Sequence, residues 1–460
     1  MNYKDFFKGK KITIMGLGLL GRGIGYTKFL AECGADLTVT DLKDAVKLAA
    51  ALRELKKYNL SAGKAGNIKY VLGEHRLEDF QNCDMVIKAA GVPLDSVYIA
   101  EAKKNGIPVE MDVSLFAKCA PFVTIVGITG TRGKSMTTAI IYDLLKKGLP
   151  KRNIYLGGNV RGHATLPLLK KVNPPAGGGD ILVAELDSWQ LQGFGDSKIS
   201  PNVSVFTTFM PDHMNYYKGS MEQYFDDKAN IFKYQKESDT LVIGETMQKI
   251  IRKKDVKGKL VVAKHNSVTD WNFSVPGEHN LVNLAMAVEV AKVFGVNETK
   301  IKKIVKDFKG VEGRLQLLRT YKGIKIYNDN NATTPEATIA GIKALSGVGP
   351  LKFSGSNPGD LILICGGNDK NTSIYELVKI AKKNCKSVVT IPGTGTTKFV
   401  ELFGKGVVET PELKSAVKAA LASVSRGDTI LFSPAFSSFA QFNNEYERND
   451  LFVKIIKDLK

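Results

Sequence analysis

Residues 122–128 form an apolar run that meets Gly130-Thr-Arg-Gly-Lys134-Ser135, after which Ile140, Ile141, Leu144 and Leu145 recur on one face of a helix. A strand that turns through glycine straight into a helix commits the chain to an α/β layer architecture, because the helix must pack back on the sheet it has left. A second turn of this kind lies near the N-terminus. There the strand Lys11–Met15 runs into Gly16-Leu-Gly18-Leu-Leu-Gly21, a helical stretch follows to about Gly34, and a second strand ends at Asp41. An acid 20 residues after the last glycine gives a βαβ unit with a GxGxxG turn.

The same grammar continues through strands at 85–89, 107–111, 181–186 and 203–207, with an exposed loop at 174–179 built from prolines and glycines. From Val311 a third segment carries its own strands at 325–328, 361–365, 387–391 and 429–433. At 460 residues the chain exceeds one ordinary core. The expectation is three α/β domains: a Rossmann-like domain at 1–120, a central P-loop-ATPase-like domain with a parallel sheet at 121–310, and a C-terminal Rossmann-like domain at 311–460.

Hydrophobic residues at 43% and charged residues at 24% match a globular protein, and no apolar run approaches the length of a membrane span. The first eleven residues are charged and lack the apolar centre of a signal peptide, so a cytosolic enzyme acting as a monomer is expected. The five cysteines contain no CxxC pair, which speaks against a disulfide framework or a structural zinc site. The net charge of +19 suits a protein that handles polyanions. Its lysines are nevertheless spread as pairs (56/57, 103/104, 253/254, 302/303) without the aromatic interleaving of a single-strand binder, so nucleic acid is not the expected partner.

Glycine-rich turns between strand and helix aim backbone N–H groups and a helix N-terminus at phosphate. The Gly16/Gly18/Gly21 turn with Asp41 is compatible with a dinucleotide or with packing alone. The Gly130–Ser135 turn says more. A strict Walker loop would place glycine at Ile128, whereas here Gly127 stands one residue earlier, but the Gly-Lys-Ser ending is intact. Lys134 is placed to neutralise terminal phosphates and Ser135 to ligate magnesium.

Gly127-Ile-Thr-Gly-Thr-Arg-Gly-Lys-Ser135 resembles the ATP loop of the Mur ligases and the related folylpolyglutamate synthetases. Further landmarks stand in the order that family shows: Gly157-Gly-Asn159, Glu185-Leu-Asp-Ser-Trp-Gln-Leu191, Pro211-Asp-His213 and Lys228. Gly277-Glu-His-Asn280 with Asn283, Arg314, Asn328-Asp329, Gly366-Gly-Asn-Asp-Lys370 and Ser433-Pro-Ala435 follow, so the resemblance spans essentially the whole chain. Within the family it is closest to the members that add glutamate to UDP-N-acetylmuramoyl-L-alanine, through Gly16–Gly21, the stretch 90–95 and Ser433-Pro-Ala-Phe-Ser-Ser-Phe439.

What the resemblance implies is ATP-dependent amide ligation through an acyl phosphate, in peptidoglycan precursor synthesis. Gly18, Leu19, Leu20, Asp41, Lys43, Gly91 and Asn159 would bind the UDP substrate. Gly130, Thr131, Arg132, Gly133, Lys134, Ser135, Asn280, Asn283, Arg314 and Asp329 would bind ATP. Ser135 and Glu185 would hold one magnesium ion, with His213 and Lys228 serving a second. Lys228 would carry CO2 as a carbamate, and Lys134, His213 and Lys228 would be the catalytic set. Thr333, Lys370 and Ser438 would receive the carboxylates of the incoming amino acid.

Five positions depart from the family pattern. Arg132 stands for asparagine, Asp187 for serine (a second acid beside the magnesium glutamate), Asn215 for aspartate, Asn331 for lysine and Glu445 for an aromatic residue. The last two leave the amine open: D-glutamate, L-glutamate or another amino acid. A non-catalytic relative that binds a UDP-sugar is the reading from a different class, and the intact Lys134, Glu185, His213 and Lys228 oppose it.

Overall fold

The computed structural model describes residues 2–18, 21–58, 67–93, 95–174, 179–346 and 360–459. Leu19 and Leu20 of the first glycine turn, Leu94, and residues 175–178 of the expected loop lie outside the described residues.

Three sheets follow one another along the chain. β1 (Lys11–Met15), β2 (Asp36–Asp41), β3 (Ile68–Leu72), β4 (Met85–Lys88) and β5 (Val109–Glu110) form an all-parallel sheet ordered β3-β2-β1-β4-β5. The second contains β6 (Thr124–Thr129), β7 (Ile154–Gly158), β8 (Ile181–Glu185), β9 (Val203–Phe206), β10 (Thr240–Gly244) and β11 (Lys259–Ala263). Its order is β11-β10-β9-β6-β8-β7, again parallel throughout. The third has β12 (Gln316–Tyr321), β13 (Ile324–Asn328), β14 (Leu361–Gly366), β15 (Cys385–Ile391), β16 (Val407–Glu409) and β17 (Thr429–Phe432). It is ordered β12-β13-β17-β14-β15-β16, and only its edge pair β12/β13 is antiparallel.

The central strands read as their burial requires. β8, Ile-Leu-Val-Ala-Glu, buries every residue, as a parallel strand covered on both faces must. In β14 the side chains alternate: Leu361, Leu363 and Cys365 enter one hydrophobic cluster, Ile362 and Ile364 the cluster on the opposite face.

The chain divides into two compact units, Met1–Lys264 with Ala285–Ile301, and His265–Leu284 with Lys302–Lys460. In the first unit one continuous apolar cluster runs from Phe7 and Ile12 through Phe116 and Leu166 to Leu186 and Phe206, so its two sheets share a core. The helix Asp112–Cys119 joins them. Its buried Asp112 carboxylate accepts from Thr165 N at 2.8 Å and Leu166 N at 2.7 Å, capping the short helix Leu166–Lys170.

Strand order reverses beside each glycine turn. β1 lies between β2 and β4, and β6 lies between β9 and β8. Crevices at the carboxyl ends of strands at such reversals are where open α/β sheets take ligands. Every strand expected from the sequence is present to within two residues at each end, with 107–111 reduced to the two-residue Val109–Glu110.

Candidate active site

β6 ends at Thr129, and Gly130 follows at φ +143°, where a Cβ would lie 2.0 Å from Thr207 Oγ1 and 2.8 Å from Thr208 N. Only glycine allows the turn to press this closely on the end of β9. The two threonines then brace it. Thr131 N donates to Thr208 O at 2.8 Å, Arg132 N to Thr208 Oγ1 at 2.9 Å, and Thr207 Oγ1 to Arg132 O at 2.5 Å. The helix Lys134–Gly148 begins directly afterwards with no side-chain cap, leaving a helix N-terminus of the kind that takes phosphate.

Lys134 folds back over the turn, its Nζ donating to Gly130 O at 2.8 Å and Thr131 O at 3.2 Å. Lys228, on the helix Met221–Ala229, donates to the same Gly130 carbonyl at 3.1 Å. Its side chain is fully buried, with the ammonium 4.9 Å from the centroid of the Tyr224 ring. Burial, then the charge of Lys134, pulls the Lys228 ammonium down to about 7.

His213 follows β9 in a left-handed conformation, φ +55°, which residues other than glycine adopt rarely and often at functional sites. Its ring lies 4.7 Å from that of Trp189. Burial holds the imidazole below its usual range against the opposing charge of Asp212, so near neutral pH the ring is mostly uncharged and able to offer a lone pair. Asp212 is itself engaged by Arg132 at 2.8 Å, which accounts for the arginine in this turn. Glu185 closes β8 and is 5% exposed, yet among the described residues its carboxylate meets no hydrogen-bond donor or salt-bridge cation. A buried carboxylate left in that state calls for a cation. Ser135 lies in the first turn of its helix. Asp187 spends one oxygen capping the helix Ser188–Asp196 through Gln190 N at 2.8 Å. Among the described residues no group of three or more His, Cys, Asp or Glu side chains could hold a metal unaided, so Lys228 or Ser135 would have to complete a ligand set.

At the first glycine turn Asp41 braces the loop. Its Oδ2 accepts from Leu17 N at 2.9 Å and Gly18 N at 3.2 Å, and its Oδ1 from Lys43 N at 2.9 Å. The carboxylate thereby holds the turn in shape. Lys43 Nζ lies 3.9 Å from it, and Gly91 follows β4 at φ +81°. Asn159 lies with the second sheet, its N–H donating to Glu185 O at 2.7 Å.

In the second unit Asn280 and Asn283 meet, Nδ2 of Asn283 donating to Oδ1 of Asn280 at 3.3 Å while Asn280 donates to Pro276 O. Asp329 follows β13, with Oδ1 accepting from Leu315 N at 3.0 Å and Oδ2 from Ser433 Oγ at 2.9 Å. Burial pushes its carboxyl up to about 7, with Arg314 opposing the shift. Lys370 Nζ donates to Thr333 Oγ1 at 2.9 Å, so two of the three expected amino-acid contacts meet directly. The third, Ser438, is buried next to Ser437, which exchanges backbone hydrogen bonds with Asn368 in the Lys370 turn.

Two residues of these sites were not foreseen. Tyr224 lies four residues before Lys228, the helical spacing that sets one side chain over the other, and that spacing was a readable signal. Arg448 is fully buried and holds Asn330 through Nε to Oδ1 at 2.8 Å and Nη2 to O at 3.0 Å, fixing the turn after Asp329. No motif marks it.

Three family models match the chain in order: a Mur ligase MurD-like N-terminal domain at residues 10–110, a Mur ligase middle domain at 128–271, and a Mur ligase glutamate ligase domain at 313–436. The UDP-N-acetylmuramoylalanine–D-glutamate ligase of Roseiflexus sp. (strain RS-1) is 33% identical, with 98% of each chain covered. The enzyme of the same name from Borreliella afzelii (strain PKo) is 32% identical, again over 98% of each chain. Among solved structures, UDP-N-acetylmuramate-alanine ligase MurC from Thermotoga maritima superposes with a TM-score of 0.61 at 20% identity, covering 98% of this chain and 100% of that one. MurF ligase from Thermotoga maritima in complex with ADP gives 0.58 at 17% identity, covering 99% and 97%. At such identities these structures speak for the fold.

Proposed function

Because the chain belongs to the Mur ligase family, we propose that it adds D-glutamate to UDP-N-acetylmuramoyl-L-alanine, using ATP, as a cytoplasmic monomer in peptidoglycan precursor synthesis. The observation that carries this reading is the meeting of Lys134 and Lys228 on the Gly130 carbonyl, beside the strand that ends in buried Glu185.

In this reaction the alanyl carboxylate accepts the γ-phosphoryl group, the glutamate amine attacks the acyl phosphate, and the tetrahedral adduct expels phosphate. Each species is anionic, so positive charge and N–H donors must be fixed in place beforehand. Lys134 and the N–H groups of 130–135 take the ATP phosphates, with Asn280, Asn283, Arg314 and Asp329 completing the nucleotide contacts. Gly18, Leu19, Leu20, Asp41, Lys43, Gly91 and Asn159 take the UDP substrate, and Asp41 also holds that turn in shape. Thr333, Lys370 and Ser438 take the glutamate carboxylates, where charge-assisted hydrogen bonds are the stronger class.

Ser135, Glu185, His213 and Lys228 are the residues that would hold magnesium, and a Glu185 carboxylate with no donor among the described residues, together with an imidazole that burial holds below its usual range, fits a cation. Bound magnesium would offset the charge that develops on the phosphates. As an ammonium Lys228 repels such a cation. Burial pulls the ammonium down to about 7, which favours the neutral amine, the form that adds CO2 to become an anionic ligand.

Glu445 stands three residues before Arg448 on the helix Glu445–Lys457, and its charge acts on that guanidinium. The test is phosphate release with ATP, magnesium and UDP-N-acetylmuramoyl-L-alanine, with D-glutamate and L-glutamate supplied separately. Release dependent on D-glutamate is expected. Release only with L-glutamate would move the specificity, and none with either would overturn the proposal.

A further inference from the structure

Four segments of the first unit each carry a residue of the proposed site: Gly91 after β4, Glu185 before the helix Ser188–Asp196, His213 after β9, and Lys228 on Met221–Ala229. One side chain that the chemistry does not use touches three of them and lies on the fourth. Gln192, on the helix Ser188–Asp196, accepts from Lys88 Nζ through Oε1 at 2.6 Å. Its Nε2 donates to Asp227 Oδ2 at 2.8 Å and to the Tyr216 hydroxyl at 3.2 Å.

The partners settle the orientation of the amide. An ammonium can only donate and an ionised carboxylate can only accept, so the carbonyl must face Lys88 and the NH2 must face Asp227. The network then reaches outward at both ends. Tyr216 OH donates to Val92 O at 2.9 Å, next to Gly91, and Tyr217 OH donates to Asp227 Oδ2 at 3.0 Å. Tyr216 and Tyr217 lie in the turn that follows His213, and Asp227 is the neighbour of Lys228. Gln192 is 9% exposed, so water offers little substitute for a lost partner.

We infer that Gln192 is a positioning residue that couples the UDP-sugar loop at 88–92 to the histidine–lysine centre, by holding Lys88, Tyr216 and Asp227 in one register. The inference rests on the functional reading above. Substrate seated at the 88–92 loop and ATP seated at Gly130–Ser135 each favour one arrangement of this network, so binding of either changes the affinity for the other.

The experiment is calorimetric titration of UDP-N-acetylmuramoyl-L-alanine into full-length wild type and Gln192→Leu, each with and without magnesium and a non-hydrolysable ATP analogue. Turnover with D-glutamate is measured in parallel. In the wild type the analogue changes the sugar-nucleotide affinity by at least about fivefold. In Gln192→Leu that factor falls to within about twofold of unity and kcat drops roughly tenfold, while affinity for the ATP analogue measured without the sugar nucleotide stays near the wild-type value. Tyr216→Phe removes only the hydroxyl between Val92 and Gln192 and gives a smaller loss in the same direction, which serves if Gln192→Leu does not fold. An unchanged coupling factor in both variants, or none in an active wild type, overturns the inference alone. A wild type that neither binds the sugar nucleotide nor turns over overturns the functional reading, and this inference with it.

Discussion

Asp329→Asn should make the protein more stable and less active. The Asp329 carboxyl is buried and pushed up from 3.8 to about 7. Between those two values the folded chain keeps a proton that the unfolded chain has released. Stability therefore falls as pH rises through the window, and the full penalty stands above pH 7. A difference of about 3 in pKa at 1.36 kcal/mol each amounts to roughly 4 kcal/mol. Asparagine keeps the shape and meets the same partners: its Oδ1 accepts from Leu315 N, and its Nδ2 donates to Ser433 Oγ. That hydroxyl can then donate to Thr338 Oγ1, 2.9 Å away. After allowing about 1 kcal/mol for a less favourable hydrogen bond, the variant should gain roughly 2–3 kcal/mol at pH 8 and almost nothing at pH 4. For a unit of this size that is on the order of 5–10 °C in the melting transition. Scanning calorimetry of both proteins from pH 4 to 8 reads the difference directly, and ligase turnover at pH 8 should fall at least about tenfold if the carboxylate serves ATP. A variant less stable than wild type at pH 8, or a gain that does not shrink toward pH 4, would refute the reasoning.

Gly130→Ala puts a methyl group 2.0 Å from Thr207 Oγ1 and 2.8 Å from the backbone N of Thr208, in a φ that alanine avoids. The turn must lift off β9, and ATP affinity measured by titration should fall more than about tenfold, with a stability loss of roughly 1–3 kcal/mol. Asn331→Lys restores the cation usual in the family at the turn that Arg448 holds. It should lower KM for D-glutamate with little change in KM for ATP, and an unchanged glutamate KM would remove Asn331 from the pocket.

The parts of the site that were legible in the sequence are those where backbone geometry and residue type are locked together over a few positions. Gly130 is glycine because a Cβ would strike Thr207, and Lys134 follows because the helix starts there. Local spacing of that kind survives in a linear reading. The sheet edges were less legible. β11 begins with exposed Lys259 and Leu260 and has little apolar alternation, and β12 pairs antiparallel in an otherwise parallel sheet, so neither announces itself by pattern.

Least legible were the groups whose role comes from partners far along the chain. Asp41 is marked in the sequence by its distance from the glycines, but only the fold shows that it accepts from the N–H groups of Leu17, Gly18 and Lys43. Arg448 looks like one more cation of a strongly basic chain, yet burial pulls it down to about 10 and it is held by Asn330, 118 residues away. Gln192 and Lys88 lie 104 residues apart and belong to no motif. Motifs record where a ligand touches the chain. They do not record the residues that hold those contacts in register, because a buried amide, tyrosine or arginine can do that work from any position whose geometry reaches. Departures such as Arg132 and Glu445 belong to the same class: Arg132 pairs with Asp212 and the charge of Glu445 acts on Arg448, and only the fold shows these neighbours.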